Sequence, residues 1–359
     1  MKKSFLPKIL PIELNDKDLL KLYKKSAEAK VKLTKFNMLL ENSPVQETAI
    51  MFFSLNESVE STKIEGTQAT FDEVLESEIT GNKNTDVQEI LNYLEALQVG
   101  FKSLDRTSIN TRLFLELHKI ILKNSRGENR SPGEYRKIQN FIGPSNRIED
   151  ASYIPPEPQK VEEYISNLEK YINDEIEDDI DPLIKAGIIH AQFETIHPFL
   201  DGNGRLGRIL ITLYLLDKKL IYKPTFFLSE HLKKNKYKYY ALLNKLRNDN
   251  PNWPGWLEFF LEVAVAQSDF YIEKLQKVEE LFAEMTKFAE GNEIDKNIVM
   301  FLFKKPFFRI IDISSTLSCS YNKARTSTLK LSEAGKVFAD DKRRNKIFRF
   351  YDLIDIFKK

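Results

Sequence analysis

Apolar positions recur every three or four residues along most of the chain, the period of a helix with one buried face. The pattern dominates residues 1–105, as in KDLLKLYKKSAEAKVKL and DVQEILNYLEALQVGFKSL, and continues through NTRLFLELHKIILKN. Glycine and proline then interrupt it in SRGENRSPGEYRKIQNFIGPSNRIEDASYIPPEP, where RKIQNFIG and ASYIP read as two short strands around a polar turn, so a hairpin is expected. The helical period returns in VEEYISNLEKYIND. The acidic run NDEIEDDID reads as a solvated connector, and a further helix is expected from Pro182, with Asp181 as its N-cap. More helix is expected over YYALLNKLRNDN and PGWLEFFLEVAVAQSDFYIEKLQKVEELFAEM, up to a break at AEGNEID. From residue 291 the pattern reads as helices over RIIDISSTLSCSYNKARTSTLKLSEAGKV. Two apolar-aromatic strands, KVFAD and IFRFYD, then flank the basic turn DDKRRNK, an order that resembles a winged helix-turn-helix.

Composition sharpens this mainly α reading. A chain of 359 residues is long for one core, so three units are expected: an N-terminal helical domain at 1–105, a central core at 106–270 and a winged helix at 291–359. Lys and Arg number 54 against 53 Asp and Glu, a balance that marks no general nucleic-acid or membrane-surface binder. The residues from 291 onward carry 15 basic and 8 acidic side chains, so the basic charge is local to that end. Cys319 is the only cysteine, which excludes an internal disulfide framework and fits a reducing compartment, with the cytoplasm as the expected location. The opening MKKSFLPKILPIEL is broken by two prolines and reads as no signal peptide, and no apolar run is long enough to span a membrane.

The chemistry concentrates in ETIHPFLDGNGRLGRILITLYLLD. Gly202, Gly204 and Gly207 satisfy G-x-G-x-x-G, but no buried strand precedes them, because AQFETIHPFLD places Glu194, His197, Pro198 and Asp201 where a Val and Ile run is needed. A phosphate-binding loop of the G-x-x-x-x-G-K-[ST] kind is absent too. An ordinary helix-to-helix turn leaves the charged residues unexplained. Glycines that let the backbone close into a nest at the start of a helix aim several N–H groups and the positive dipole end at one point, which suits an anion. Arg205 and Arg208 add two guanidinium forks, fitting a polyphosphate. Asp201 is too little for a protein-only metal cage but suits magnesium shared with phosphates, and His197 titrates in the range of a general base. Together these describe transfer from a nucleotide.

HPFLDGNGRLGR resembles the signature of the Fic family, H-P-F-x-[D/E]-G-N-G-R-x-x-R, at every specified position. The resemblance implies a Fic-type helical core with a short β-hairpin flap, and transfer of AMP from ATP to a Ser, Thr or Tyr hydroxyl of a protein, with pyrophosphate leaving. It implies His197 as the base on that hydroxyl, Phe199 as the loop's anchor and Asp201 as the magnesium ligand. Gly202, Asn203 and Gly204 would form the phosphate nest, and Arg205 and Arg208 would clamp the β and γ phosphates. The glycine-rich interruption resembles the family's flap, which aligns a target segment by main-chain pairing. YKYYALLNKLR resembles the segment closing over the base, which makes Tyr239 and Tyr240 candidates for the adenine side, with core packing as the competing reading.

A second stretch, STKIEG at 61–66, resembles the family's inhibitory motif [S/T]-x-x-x-E-[G/N]. Ser61 and Glu65 share a helical face, Gly66 suits the residue that ends the helix, and a carboxylate at a helix C-terminus needs a partner elsewhere. The resemblance supplies Arg208 as that partner, so that Glu65 occupies the guanidinium meant for γ-phosphate. A role for Glu65 in orienting water to remove AMP stays open beside it, as do another nucleotide donor and a homodimer. His190 reads as a packed histidine, and His118 and His231 receive no role. The lysines of KKNKYKYY read as a solvated face. Lys342, Arg343 and Arg344 at the wing tip suit a DNA backbone, but the sequence identifies no base-reading set, and a winged helix also serves as a protein contact or spacer. The competing class is therefore a DNA-binding regulator whose core only senses a nucleotide.

Overall fold

The computed structural model describes residues 3–143, 145, 147–342 and 344–358. Helix α1 (Asp16–Glu41) starts where the Asn15 side chain accepts the Asp18 amide and lays Leu22, Ala29, Leu33, Phe36 and Leu40 into the core, against α11 (Trp253–Gly291). Helix α2 (Gln46–Ile64) has no wet face beyond Glu47 and Met51. Asn56, Glu57, Ser58, Ser61 and Thr62 are buried with Phe52, Phe53, Leu55 and Val59, so no apolar stripe marks this helix in the sequence. Helices α3 (Phe71–Thr80), α4 (Thr85–Leu104) and α5 (Thr111–Ile121) follow, each opened by a Thr or Asn side chain that caps its first turn.

After α6 (Val161–Ile172) come the two helices that bracket the motif, α7 (Pro182–Ile196) and α8 (Asn203–Asp217), packed on each other and buried on nearly every side. Asp181 caps α7 as expected, accepting the Leu183 amide at 2.9 Å. The acidic run before it is not a solvated connector. Asp174 and Asp178 hold the buried Lys185 at 2.8 and 3.0 Å, Asp174 also reaches Lys218, and Asp181 accepts from Lys30 and Ser26 of α1. A lysine ammonium taken out of water requires such partners, which turns the run into a clasp between α1, α7 and α8.

Helices α9 (Ser229–Lys234) and α10 (Lys236–Leu246) precede α11, which runs on to the C-terminal module. There α12 (Lys296–Lys304), β1 (Phe307–Phe308), α13 (Ile310–Thr316), α14 (Tyr321–Glu333), β2 (Phe338–Ala339) and β3 (Phe348–Arg349) form a winged helix whose antiparallel sheet has the order β1-β3-β2. Phe308 pairs with Phe348 and Phe338 with Arg349. The sequence reading missed β1, which is two residues long and follows Pro306. The last helix, α15 (Tyr351–Lys358), returns to α2, where Phe357 stacks on Phe52 at 4.7 Å between ring centres. The chain is helical with little sheet, and one hydrophobic cluster runs from Leu10 to Phe357. No helix among the described residues is long and apolar enough to cross a membrane.

Candidate active site

Helix α7 ends because His197 takes the left-handed conformation, φ +50°, its amide still bonded to the Phe193 carbonyl. Gly202 is left-handed again at φ +78° and starts α8, so residues 198–202 make a tight loop between two buried helices. Asn203 locks this loop, accepting the Phe199 amide and donating to the Phe199 carbonyl, both at 2.9 Å. Its side chain thereby acts as a structural clasp for the loop. What remains for an anion is the backbone: no side chain caps α8, so its first-turn N–H groups open toward the loop mouth.

Phe199 is fully buried, stacked on His118 at 3.7 Å and tilted against Tyr135. His118, given no role from the sequence, meets the Asp201 carbonyl at 3.0 Å and accepts the Gly133 amide at 2.9 Å. Burial lowers its pKa to about 4, so it supports the loop as a neutral ring. Arg136 supports the other side, donating to the carbonyls of His197 and Pro156 while its own amide donates to Pro198. Among the described residues the expected flap hairpin shows one antiparallel bridge, Ile142 with Tyr153, and Pro144 and Asn146 lie outside the described residues. Asn140 of the flap donates to the Phe199 carbonyl, which ties flap and loop together.

His197 is half-buried, and burial together with the Arg247 and Arg136 guanidiniums holds its imidazole down at about 3, so it is neutral at pH 7 but a weaker base than the sequence led one to expect. Both hydrogen bonds to the Asp201 carboxylate, from the Gly202 amide and Arg205, fall on Oδ1, which leaves Oδ2 for another partner. A side chain at Gly127 would lie 2.8 Å from that oxygen, so glycine keeps the approach open. Arg205 is buried near the loop mouth, 3.2 Å from Asp201 and 3.9 Å from Glu89, with Nε and Nη1 lacking hydrogen-bond partners among the described residues. Glu89 already accepts from Arg126 and Thr67, and neither it nor Arg126 was singled out from the sequence.

Arg208 points the other way. Only 3 % exposed, it donates to Ser61 Oγ at 2.7 Å, to the Ser61 carbonyl at 3.0 Å and to Glu65 Oε1 at 2.7 Å. Burial opposes its charge, but the Glu65 carboxylate beside it holds its pKa above the ordinary arginine value. Ser61 lies in the last turn of α2, Glu65 is its C-cap and Gly66 follows at φ +102°. Glu65 also lies over the nest, because a Cβ at Gly204 would meet its Oε1 at 2.2 Å. Two more carboxyls face Arg208 and were missed, Glu57 and Glu194, both raised to about 7 by burial. Glu57 accepts from Tyr93 and Ser229, whereas Glu194 Oε1 has no partner among the described residues. A charged residue one turn before His197, inside an otherwise apolar helix, was the available signal for Glu194; nothing in the pattern marked Glu57.

The two tyrosines separate. Tyr239 is buried with its hydroxyl on His190, a core pair that keeps it from the nucleotide face, and His190 is packed as expected, its other nitrogen on the Gly207 carbonyl. Tyr240 is 37 % exposed and feels the charges of Glu65 and Arg208. The neighbouring lysines are no free solvated face either, since Lys236 donates to the Ile64 carbonyl at 2.6 Å and Lys233 pairs with Glu60, so both grip the inhibitory end of α2.

Comparison with known proteins agrees with this geometry. Residues 108–215 match the Fic/DOC family and residues 23–102 match the Fic/DOC family N-terminal region. The protein adenylyltransferase fic-1 of Caenorhabditis elegans is 30% identical over 123 residues, which cover 34% of this chain and 22% of that protein. The protein adenylyltransferase Fic of Drosophila melanogaster is 27% identical over 195 residues, covering 54% and 36%. The chain thus spans about a third or less of the length of these curated relatives. In fold it is similar to a Fic family protein from Desulfovibrio desulfuricans G20, with a TM-score of 0.60 at 19% identity over 96% of this chain and 98% of that one. It is also similar to Fic-1 (residues 134–508) from C. elegans, with a TM-score of 0.55 at 21% identity over 72% and 74%. With the two family matches side by side along the chain and the whole HPFLDGNGRLGR loop built between α7 and α8, the chain belongs to the Fic/DOC family.

Proposed function

We propose that the protein is a nucleotidyltransferase that moves AMP from ATP onto a hydroxyl of a protein, itself included, and that Glu65 restrains it. The observation that carries this reading is the buried Arg208 beside an open helix start. Its one short carboxylate partner is Glu65, and the other two nearby carboxyls are held near neutrality by burial. A guanidinium so placed needs an anion, and when Glu65 withdraws a phosphate takes its place.

In the reaction the acceptor oxygen attacks the α-phosphorus and the bond to the bridging oxygen of the β-phosphate breaks. The acceptor proton goes to the His197 imidazole and pyrophosphate leaves. The first-turn N–H groups of α8 and Arg205 hold the α and β phosphates, and Arg208 holds the γ-phosphate once freed. Magnesium fits the free Oδ2 of Asp201, where, bound with the phosphates, it would neutralise their charge. No group of three or more His, Cys, Asp or Glu capable of holding a metal occurs among the described residues, so a metal here depends on the nucleotide. Tyr240 is the candidate for the base side. The units 1–105, 106–270 and 291–359 act in this scheme as brake, catalytic core and attached module.

The test is label transfer from α-labelled and from γ-labelled ATP, with magnesium, into the Glu65→Gly protein and into a lysate. Label from α alone, lost on adding His197→Ala, is the expected result. Label from γ, or α transfer that survives His197→Ala, would refute AMP transfer by this site.

A further inference from the structure

We propose that the C-terminal winged helix binds duplex DNA, with α14 in the major groove and the β2–β3 wing against the backbone. The order of elements from α12 to β3 is helix, strand, helix, helix, strand, strand, which makes α14 the second helix of a helix-turn-helix and the one that enters a groove. The module is anchored to the rest of the chain by its other surfaces. Arg349 of β3 pairs with Glu76 and Arg309 donates to the Ile79 carbonyl, both on α3, while Lys304 pairs with Glu47 and Phe357 stacks on α2. Helix α14 packs on α13 through Ala324, Ser327, Thr328 and Leu331 and leaves the opposite face in water.

That face is built for nucleic acid. Asn322, Arg325 and Thr326 are exposed and spaced three and four residues apart on one side of the helix. Arginine and asparagine are the side chains that read guanine and adenine edges bidentately, and threonine hydrogen-bonds bases or phosphates. This supplies the base-reading set that the sequence did not reveal, because the periodicity of α14 becomes interpretable only once its buried side is known. Between α14 and the wing lies a cleft of about 580 Å³ lined in part by Arg309, Arg325, Arg344 and Lys346, with no carboxylate in its lining. Arg325, Arg344 and Lys346 make no ion pair among the described residues. Three unpaired cations around one acid-free cleft complement a polyanion, and an exposed reading helix beside them selects a duplex over an acidic protein. Arg343, expected from the sequence at the wing tip, lies outside the described residues.

The experiment uses the full chain and a fluorescent duplex of about 24 base pairs of mixed sequence, followed by anisotropy between about 50 and about 200 mM salt. On a mixed-sequence duplex, where no base is selected, Arg325, Arg344 and Lys346 act as three phosphate contacts and give a slope of log affinity against log salt near −2.7, so binding should weaken about 40-fold over that range. Arg344→Glu with Lys346→Glu should lower the slope by about 2, and Arg325→Glu by about 1, whereas Lys170→Glu, an exposed reversal on α6, should leave it unchanged. Equal melting temperatures would show that the variants fold. No binding at the low salt, or variants that bind like wild type, would overturn the proposal. So would equal affinity for poly-glutamate, which would mark a general anion face for acidic proteins. The readout is binding, so it stands or falls independently of AMP transfer.

Discussion

Replacing Glu65 tests the restraint at its centre. Its carboxylate makes a 2.7 Å charge-assisted bond to an arginine that is almost wholly buried, while the Glu65 side chain itself is 34% exposed. Hydrogen bonds to charged groups contribute about 1.5–3 kcal/mol, and the exposure of Glu65 screens this toward the lower end, about 2 kcal/mol. If that bond alone favours the closed arrangement, the open one is populated about one part in 30, and Glu65→Gly should raise AMP transfer about 30-fold. Two controls bracket the argument. Glu65→Gln keeps the shape and a neutral bond of about 1 kcal/mol, so its gain should be intermediate, about fivefold. Glu65→Gly with His197→Ala should be inactive. The assay is the initial rate of α-label incorporation at saturating ATP. A gain below threefold in Glu65→Gly, or a Gln variant as active as Gly, would refute the view that charge pairing with Arg208 sets the restraint.

Lys236→Ala removes the ammonium that holds the Ile64 carbonyl at the end of α2, so transfer should rise a few-fold in wild type and not at all in the Glu65→Gly background, read in the same assay. Asn203→Ala deletes both 2.9 Å bonds to Phe199; a loss of about 2 kcal/mol in stability by denaturant titration and at least tenfold in transfer is expected, and a variant with unchanged rate would remove Asn203 from the support of the loop. Glu194 carries a folded pKa raised to about 7 against an ordinary value of 4.5, so between those pH values the folded protein keeps a proton that the unfolded chain has lost. Wild type is therefore progressively destabilised as pH rises through that window, by up to about 3 kcal/mol, and the melting-temperature gain of Glu194→Gln should grow from pH 5 to pH 8; a gain independent of pH would contradict the burial of that carboxyl.

The sequence announced the parts of the site that backbone chemistry demands. Gly202 is needed for its positive φ, Pro182 after Asp181 for the start of α7, and His197 with Arg205 and Arg208 stood in one uninterrupted run. What it hid were partners supplied from elsewhere in the chain. His118 beneath Phe199, Arg136 across the loop, Glu57 beside Arg208 and Glu89 beside Arg205 lie between 61 and 151 residues from their targets, where no spacing rule reaches. The lysines of α9 and α10 were misread for the same reason, since pairing with Glu60 and Ile64 is invisible until α2 lies against them. Tyr239 and Tyr240 are adjacent, yet a turn of 100° per residue buries one and exposes the other.

Helix α2 shows why release falls to the Glu65 side chain and not to movement of the helix. Its last turn presents Ser61 and Glu65 to Arg208, while Phe52, about three turns earlier, is held between Phe71 and Phe357 of the C-terminal helix. Polar groups buried along its length, Asn56 and Glu57 among them, are matched to Glu230, Tyr93 and Ser229, so a sliding or rotation of the helix would strand several at once. The helix therefore resists gradual displacement, and local movement of Glu65 about its own side chain is the cheaper route to an open Arg208. The C-terminal helix adds to this resistance, because Phe357 stacks on Phe52 and Phe71 and Lys358 pairs with Asp72, so displacing α2 would also break contacts with α15.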